Sequence, residues 1–249
     1  MNSIKRLVVA AVVGLGMSAP AAAALVPVDL ELSLAIDVSS SIRRQEYRLQ
    51  MAGYADAFRQ QSVIDDIVGS KNGIAVNAVF FSSIASEGIG YQHLQTESDV
   101  LGFADLLEAF ARPFNGGTDV ALGMQAALDS ILNNEFEGST KIIDVSGDGT
   151  GGTGRTSRAV RDAALAQEID AINAIAIGTE FLAAAFAYDV AGGKDAFVKR
   201  ANSFDDFAEA IAKKIDLEVD QGTKPIPVPA TILLMAIGLA GLGVLRRRR

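Results

Sequence analysis

The feature that most constrains this chain is a repeated switch between two hydrophobic periods. Residues 28–36 alternate cleanly, with Val28, Leu30, Leu32, Leu34 and Ile36 on one face of a strand. The next segment changes period, placing Tyr47, Met51, Tyr54 and Phe58 on one side of a helix. The switch recurs along the chain. Residues 74–81 read as a second strand, and 83–95 carry a weaker pattern that fits a short edge strand. Phe103, Leu107 and Phe110 mark a helix, as do Val120, Met124, Leu128 and Ile131. Strands are then predicted at 141–145, 171–177 and 196–198. Helices are predicted at 157–168, near 181–188, and along Phe204, Phe207, Ile211 and Ile215. Such β-α alternation predicts an α/β fold: one doubly wound, mostly parallel sheet with helices on both faces. The domain would span residues 25–222, and ligands would bind in loops at the carboxyl ends of the strands.

Composition removes most of the chemistry those loops could carry. There is no cysteine, which excludes thiol catalysis, disulfides, thiolate zinc sites and iron–sulfur clusters. The single histidine, His93, excludes multi-histidine metal sites and has no visible triad partner. Acidic residues number 30 against 22 basic, a net charge of −8. Six of the basic residues (Lys5, Arg6 and Arg246 to Arg249) lie at the two ends. Without them 30 acidic residues face 16 basic ones, or −14. A body that acidic repels phosphate backbones, so no nucleic-acid partner is expected. Carboxylates, hydroxyls and hard cations remain.

The two ends read as addresses. Residues 1–24 have a charged start at Lys5 and Arg6, an apolar stretch over 7–17, and the small-residue run Ala21-Ala22-Ala23-Ala24. That is the pattern of a cleaved signal peptide, since the stretch is about half of the ~20 residues a bilayer span needs. At the other end, Ile226-Pro227-Val228-Pro229-Ala230 leads into a short apolar segment, 230–245, and then four arginines. With a Pro-containing linker before it, residues 223–249 would form a short transmembrane segment with a basic cytoplasmic end. The Pro-x-Pro motif, short span and arginine cluster resemble the VPxPA form of PEP-CTERM sorting signals. That resemblance covers 226–249 and implies export, envelope or surface delivery, and an exosortase-type processing enzyme as a partner.

Three loops carry oxygen ligands. The first strand ends in Asp37-Val38-Ser39-Ser40-Ser41. Read alone, this is also what a strand end with a serine helix cap looks like. Asn115-Gly116-Gly117-Thr118-Asp119 precedes the helix beginning near Val120, and would otherwise be an ordinary capped glycine turn. Val145-Ser146-Gly147-Asp148-Gly149 ends another central strand. Together Asp37, Ser39, Ser41, Thr118 and Asp148 offer three hydroxyls and two carboxylates, a hard set suited to Mg2+, with Mn2+ or Ca2+ as alternatives. Two carboxylates no more than balance the ion, leaving it attractive to an outside carboxylate.

These residues, in this order, resemble the metal-ion-dependent adhesion site (MIDAS) of von Willebrand factor type A (VWA) domains. The resemblance runs over nearly the whole region from 28 to 218. It implies that Ser39, Ser41 and Thr118 contact the metal, while Asp37 and Asp148 hold it directly or through water. It also implies a protein partner offering a carboxylate. The third motif departs from the family's usual Thr-Asp-Gly: Ser146-Gly147-Asp148-Gly149 stands in its place.

Two enzyme readings compete. Gly149-Thr150-Gly151-Gly152-Thr153-Gly154 satisfies Gly-x-Gly-x-x-Gly, with Glu180 as a ribose acid, and would suit a nucleotide enzyme. Asp148, however, would set a negative charge against the pyrophosphate. A Mg2+-dependent phosphoryl-transfer enzyme could use Asp37 as nucleophile, yet Ser39 occupies the place where a second carboxylate is needed. The sequence therefore favours an exported binding module over an enzyme.

Overall fold

The computed structural model describes residues 24–152 and 154–223. Nearly all of the predicted signal segment, the apolar segment 230–245 and the arginine tail lie outside the described residues. So does Thr153. Among the described residues, no helix is long and apolar enough to cross a membrane.

The first strand, β1 (Val26–Asp37), lies at the centre of the sheet. On one side it pairs in parallel with β2 (Ile74–Phe81), from Leu30 opposite Ile74 to Asp37 opposite Phe81. On the other it pairs in parallel with β4 (Phe136–Gly147), which in turn pairs with β5 (Ala171–Ile177). The short β7 (Val198–Ala201) runs parallel to β5 at the far edge. Two strands break the parallel pattern. The edge strand β3 (Ala85–Leu94) is antiparallel to β2, and the two-residue β6 (Gly192–Gly193) is antiparallel to β5. The mostly parallel, doubly wound sheet read from the sequence is the fold.

Two apolar layers cover it. The even-numbered side chains of β1, Leu30 to Ile36, face α1 (Arg44–Phe58), α2 (Gln61–Gly69), α3 (Glu97–Ala109) and α7 (Phe207–Thr223). Ala35, with Val79, Phe81, Ile143 and Val145, packs under α4 (Val120–Leu132), α5 (Arg155–Leu165) and α6 (Glu180–Asp189). Strands covered on both faces need no alternation, and all eight residues of β2 are accordingly buried. Each such Val, Leu, Ile or Phe stabilises the fold by about 1.5–3 kcal/mol on burial.

Several boundaries differ from the sequence reading, for local reasons. The edge strand is ten residues long, not short, and register shifts near Ala78 bend its pairing. Phe110 lies just past α3, where its ring stacks on Phe80 at 4.6 Å. α5 stops at Leu165 because Glu168 turns the chain with a positive φ of 69°. The last helix runs through Thr223, one residue past the expected end of the domain at 222. Its end is pressed onto the first strand: a methyl group built on Gly222 would lie 2.7 Å from the Leu30 side chain.

Candidate metal centre

The parallel register sets the carboxyl ends of β1 and β4 side by side, with Ile36 opposite Ser146. Three loops meet there. Asp37, the last residue of β1, is fully buried, and its Oδ1 accepts from the Ser39 amide at 2.7 Å. That bond folds the chain back, so that Ser39 and Ser41 hydroxyls lie 3.0 Å apart. Ser41 in turn donates to Asp148 Oδ1 at 2.6 Å. Four of the five residues singled out in the sequence are thus linked in one hydrogen-bonded chain.

Thr118 joins them by backbone contact. The Ser40 amide donates to Gly116 O at 2.8 Å, tying the second loop to the first. The Val120 amide donates to Gly151 O at 2.9 Å, tying it to the third. Asp119 is the N-cap of α4, accepting from the Leu122 amide at 3.2 Å, which leaves Thr118 on the loop just before the helix. Glycines permit this approach. A methyl group on Gly149 would stand 3.2 Å from Thr118 Oγ1, and one on Gly151 only 2.2 Å from Thr118 O. Gly147 likewise lies against Asp37, whose Oδ2 would be 3.0 Å from an added methyl. Gly149, Gly151 and Gly152 therefore pack back on Thr118 and Asp119, and these three glycines have a structural use without a dinucleotide.

Electrostatics distinguish the two acids. Burial pushes Asp37 up to about 6, against the lowering effect of the Ser39 hydrogen bonds, and the nearby charge of Asp148 adds to the rise. Asp148 is also raised, mainly by burial, with the Ser41 hydrogen bond opposing. Asp37 Oδ2 is buried and has no hydrogen-bond partner. An unpaired carboxylate oxygen in a dry site costs on the order of 1–3 kcal/mol or more, which a cation would offset. The residues present therefore fit a hard divalent ion: one orphaned carboxylate oxygen, a second carboxylate and three hydroxyls. Among the described residues, no group of three or more His, Asp or Glu side chains could hold an ion, so a site here must use the hydroxyls.

Sequence reasoning missed the residue that organises the first loop. Arg112, in the loop after α3, donates from Nη1 to Ile42 O at 2.9 Å and from Nη2 to Ser39 O at 2.5 Å. The same guanidinium donates to Val38 O, and its Nε reaches Phe114 O at 3.2 Å. Gln50 of α1 supports the strand end, donating to Asp37 O at 3.1 Å. No local motif announces either residue, because their partners are carbonyls that only the fold assembles. The other sequence candidates lie apart from the site. His93 contacts Asn72 O at 2.9 Å, and Glu180 pairs with Arg200 at 3.2 Å.

Comparisons with known proteins agree with this architecture. No curated protein sequence matches the chain. The mussel byssus proximal thread matrix protein 1, solved with a zinc-occupied MIDAS motif, superposes with a TM-score of 0.57 at 19% identity. The match covers 76% of this chain and 46% of that one, so this chain spans less than half of the mussel protein's length. The pilus adhesin SpaC of Lactobacillus rhamnosus GG gives 0.59 at 14% identity, covering 78% of this chain and 30% of SpaC. The vWF domain of the type V pili tip protein Mfa5 of Porphyromonas gingivalis gives 0.53 at 12%, covering 84% of this chain and all of that one. Residues 225–249 match the PEP-CTERM protein-sorting motif. Residues 27–223 match the family described as protein of unknown function DUF1194, and the chain therefore belongs to the DUF1194 family, with a VWA-type fold and a PEP-CTERM sorting motif behind it.

Proposed function

We propose that this protein is an exported, surface-directed binding module, not an enzyme, and that it engages an acidic group of a protein partner at a divalent-cation site. The observation that carries the reading is Asp37 Oδ2, buried without a partner at the floor of three converging loops. Asp37, Ser39, Ser41, Thr118 and Asp148 would hold the ion. Mg2+ fits first, with Mn2+ and Ca2+ as other hard ions the same oxygens accept. A bound ion would supply a coordination position open to a carboxylate from outside. Arg112 keeps the first loop in shape by occupying its carbonyls, and the Ser41–Asp148 hydrogen bond holds the third loop against it. The adhesin and pilus-tip neighbours support a surface-binding role, and the sorting motif supports export and exosortase-type processing. Isothermal titration of the domain with Mg2+, Mn2+ and Ca2+ tests the reading. Saturable binding of one ion per chain is expected, and no heat with any of the three would overturn it.

A further inference from the structure

Three ionisable side chains lie beneath α7 where no solvent reaches them. Lys214 and Glu218, one turn apart on that helix, and Asp144, in the middle of β4, are each 0% exposed. Lys214 Nζ lies 2.7 Å from Asp144 Oδ1 and 2.5 Å from Glu218 Oε1. Asn173 donates to the same Glu218 oxygen at 2.9 Å, and its own Oδ1 accepts from the Phe197 amide at 3.1 Å. The Phe197 ring lies 5.8 Å from Nζ, and the buried Tyr54 of α1 borders the cluster from the other side. One ammonium here faces two carboxyl groups, so electroneutrality leaves a proton on one of them. Burial raises both acids, with the charge of Asp144 adding to the rise of Glu218 and the Lys214 ammonium opposing it in each. As a salt bridge alone this arrangement is a poor source of stability, because an apolar replacement of the same shape commonly does as well.

We propose that Lys214 and Asp144 condense into an amide, an internal covalent cross-link between α7 and β4, with Glu218 as the proton carrier. The ammonium proton passes across the 2.7 Å contact to the Asp144 carboxylate, leaving a neutral amine and a neutral acid. Nζ attacks Asp144 Cγ and the N–C bond forms. Glu218 protonates the departing hydroxyl and takes the remaining excess proton from nitrogen. The C–O bond breaks, one water leaves, and Glu218 ends as it began. No oxidant or co-reactant is required. Held partners of this kind reach effective molarities of about 10⁵–10⁸ M, which is what lets an amide form without activation. The chain has no cysteine, so this is its available covalent brace, and it secures the helix that leads into the C-terminal sorting segment.

The test is intact mass of the folded, purified full chain under denaturing conditions, followed by peptide mapping. The expected result is a mass lighter by one water and a branched peptide joining the Asp144 and Lys214 segments. Lys214→Met and Glu218→Gln should restore the missing water. A full sequence mass in the wild type would overturn the proposal, whether or not the variants fold. So would a one-water loss that maps to a linear peptide, such as one containing Asp148-Gly149, where an aspartyl–glycine step can cyclise by itself.

Discussion

Ser41 donates its hydroxyl to Asp148 Oδ1 at 2.6 Å, bridging two loops 107 residues apart in the chain. Both groups are candidate ligands, so the bond holds them at the spacing a shared ion would exploit. Asp148→Ala and Asp37→Ala should each abolish millimolar-or-better Mg2+ binding in calorimetry while circular dichroism stays native. Asp37→Asn keeps an acceptor for the Ser39 amide but removes the buried charge. At neutral pH it should raise the metal-free unfolding free energy by up to about 3 kcal/mol for the roughly two-unit rise of Asp37, read as a higher melting temperature. A melting point that falls would show that the carboxylate is satisfied in some other way.

Arg112 should matter to the ion without touching it. Arg112→Met removes the donors that hold the carbonyls of Val38, Ser39 and Ile42, and should weaken cation affinity at least tenfold. Arg112→Lys should not rescue it, since one ammonium cannot reproduce the planar fork. Equal affinity in the Arg112→Met variant would reduce the residue to a packing role.

Partner engagement should depend on the ion and resist salt. The body carries about −14 once the basic ends are set aside, so long-range fields repel an acidic partner. At physiological salt the screening length is about 8 Å, which masks distant charge but not direct coordination. Binding should vanish with chelator, survive moderate salt and be lost in Thr118→Ala. Capture that persists in chelator and dissociates on adding salt would make the contact ordinary surface electrostatics.

Stability should fall with rising pH over a defined window. Wherever Asp144 and Lys214 remain ionic and uncondensed, Glu218 is raised from 4.5 to about 8 in the folded chain, so between those values the native state holds more proton than the unfolded one. Unfolding free energy then declines as pH rises, by at most about 1.4 kcal/mol per unit for one proton. Glu218→Gln should flatten that slope in denaturant titrations from pH 5 to 8. An unchanged slope would place the proton elsewhere.

Processing can be read by mass. Envelope material from the native host should lack residues 1 to about 24 and the segment beyond roughly residue 230. Recovery of Arg249 in the mature pool would indicate a permanent anchor instead.

How much of this was legible in the sequence follows from where each signal resides. Asp37, Ser39 and Ser41 were visible because a strand of clean alternation runs straight into them, and Asp148 because glycines flank it at a second strand end. Boundaries were less visible where polar residues sit inside an element. β4 begins at Phe136, five residues before the strand read at 141–145, because Glu137 and Gly138 gain ladder partners in β1. α2 escaped notice because only Arg59 and Gln60 part it from α1, so two apolar faces blurred into one. Arg112 and the pairing of Asp144 with Lys214 could not be seen at all. Their meaning lies in atoms that are distant in the chain and adjacent only after folding.

The contact of Gly222 with Leu30 has a geometric consequence. It fixes the exit of the domain near the amino-terminal end of β1, while Asp37 lies seven residues further along the same strand. At about 3.3 Å per residue, exit and candidate site occupy opposite poles roughly 23 Å apart. A domain moored through its last helix would therefore point its three loops away from the mooring, like a lamp on its bracket. The surface offered to a visitor would be the one least shadowed by the envelope beneath.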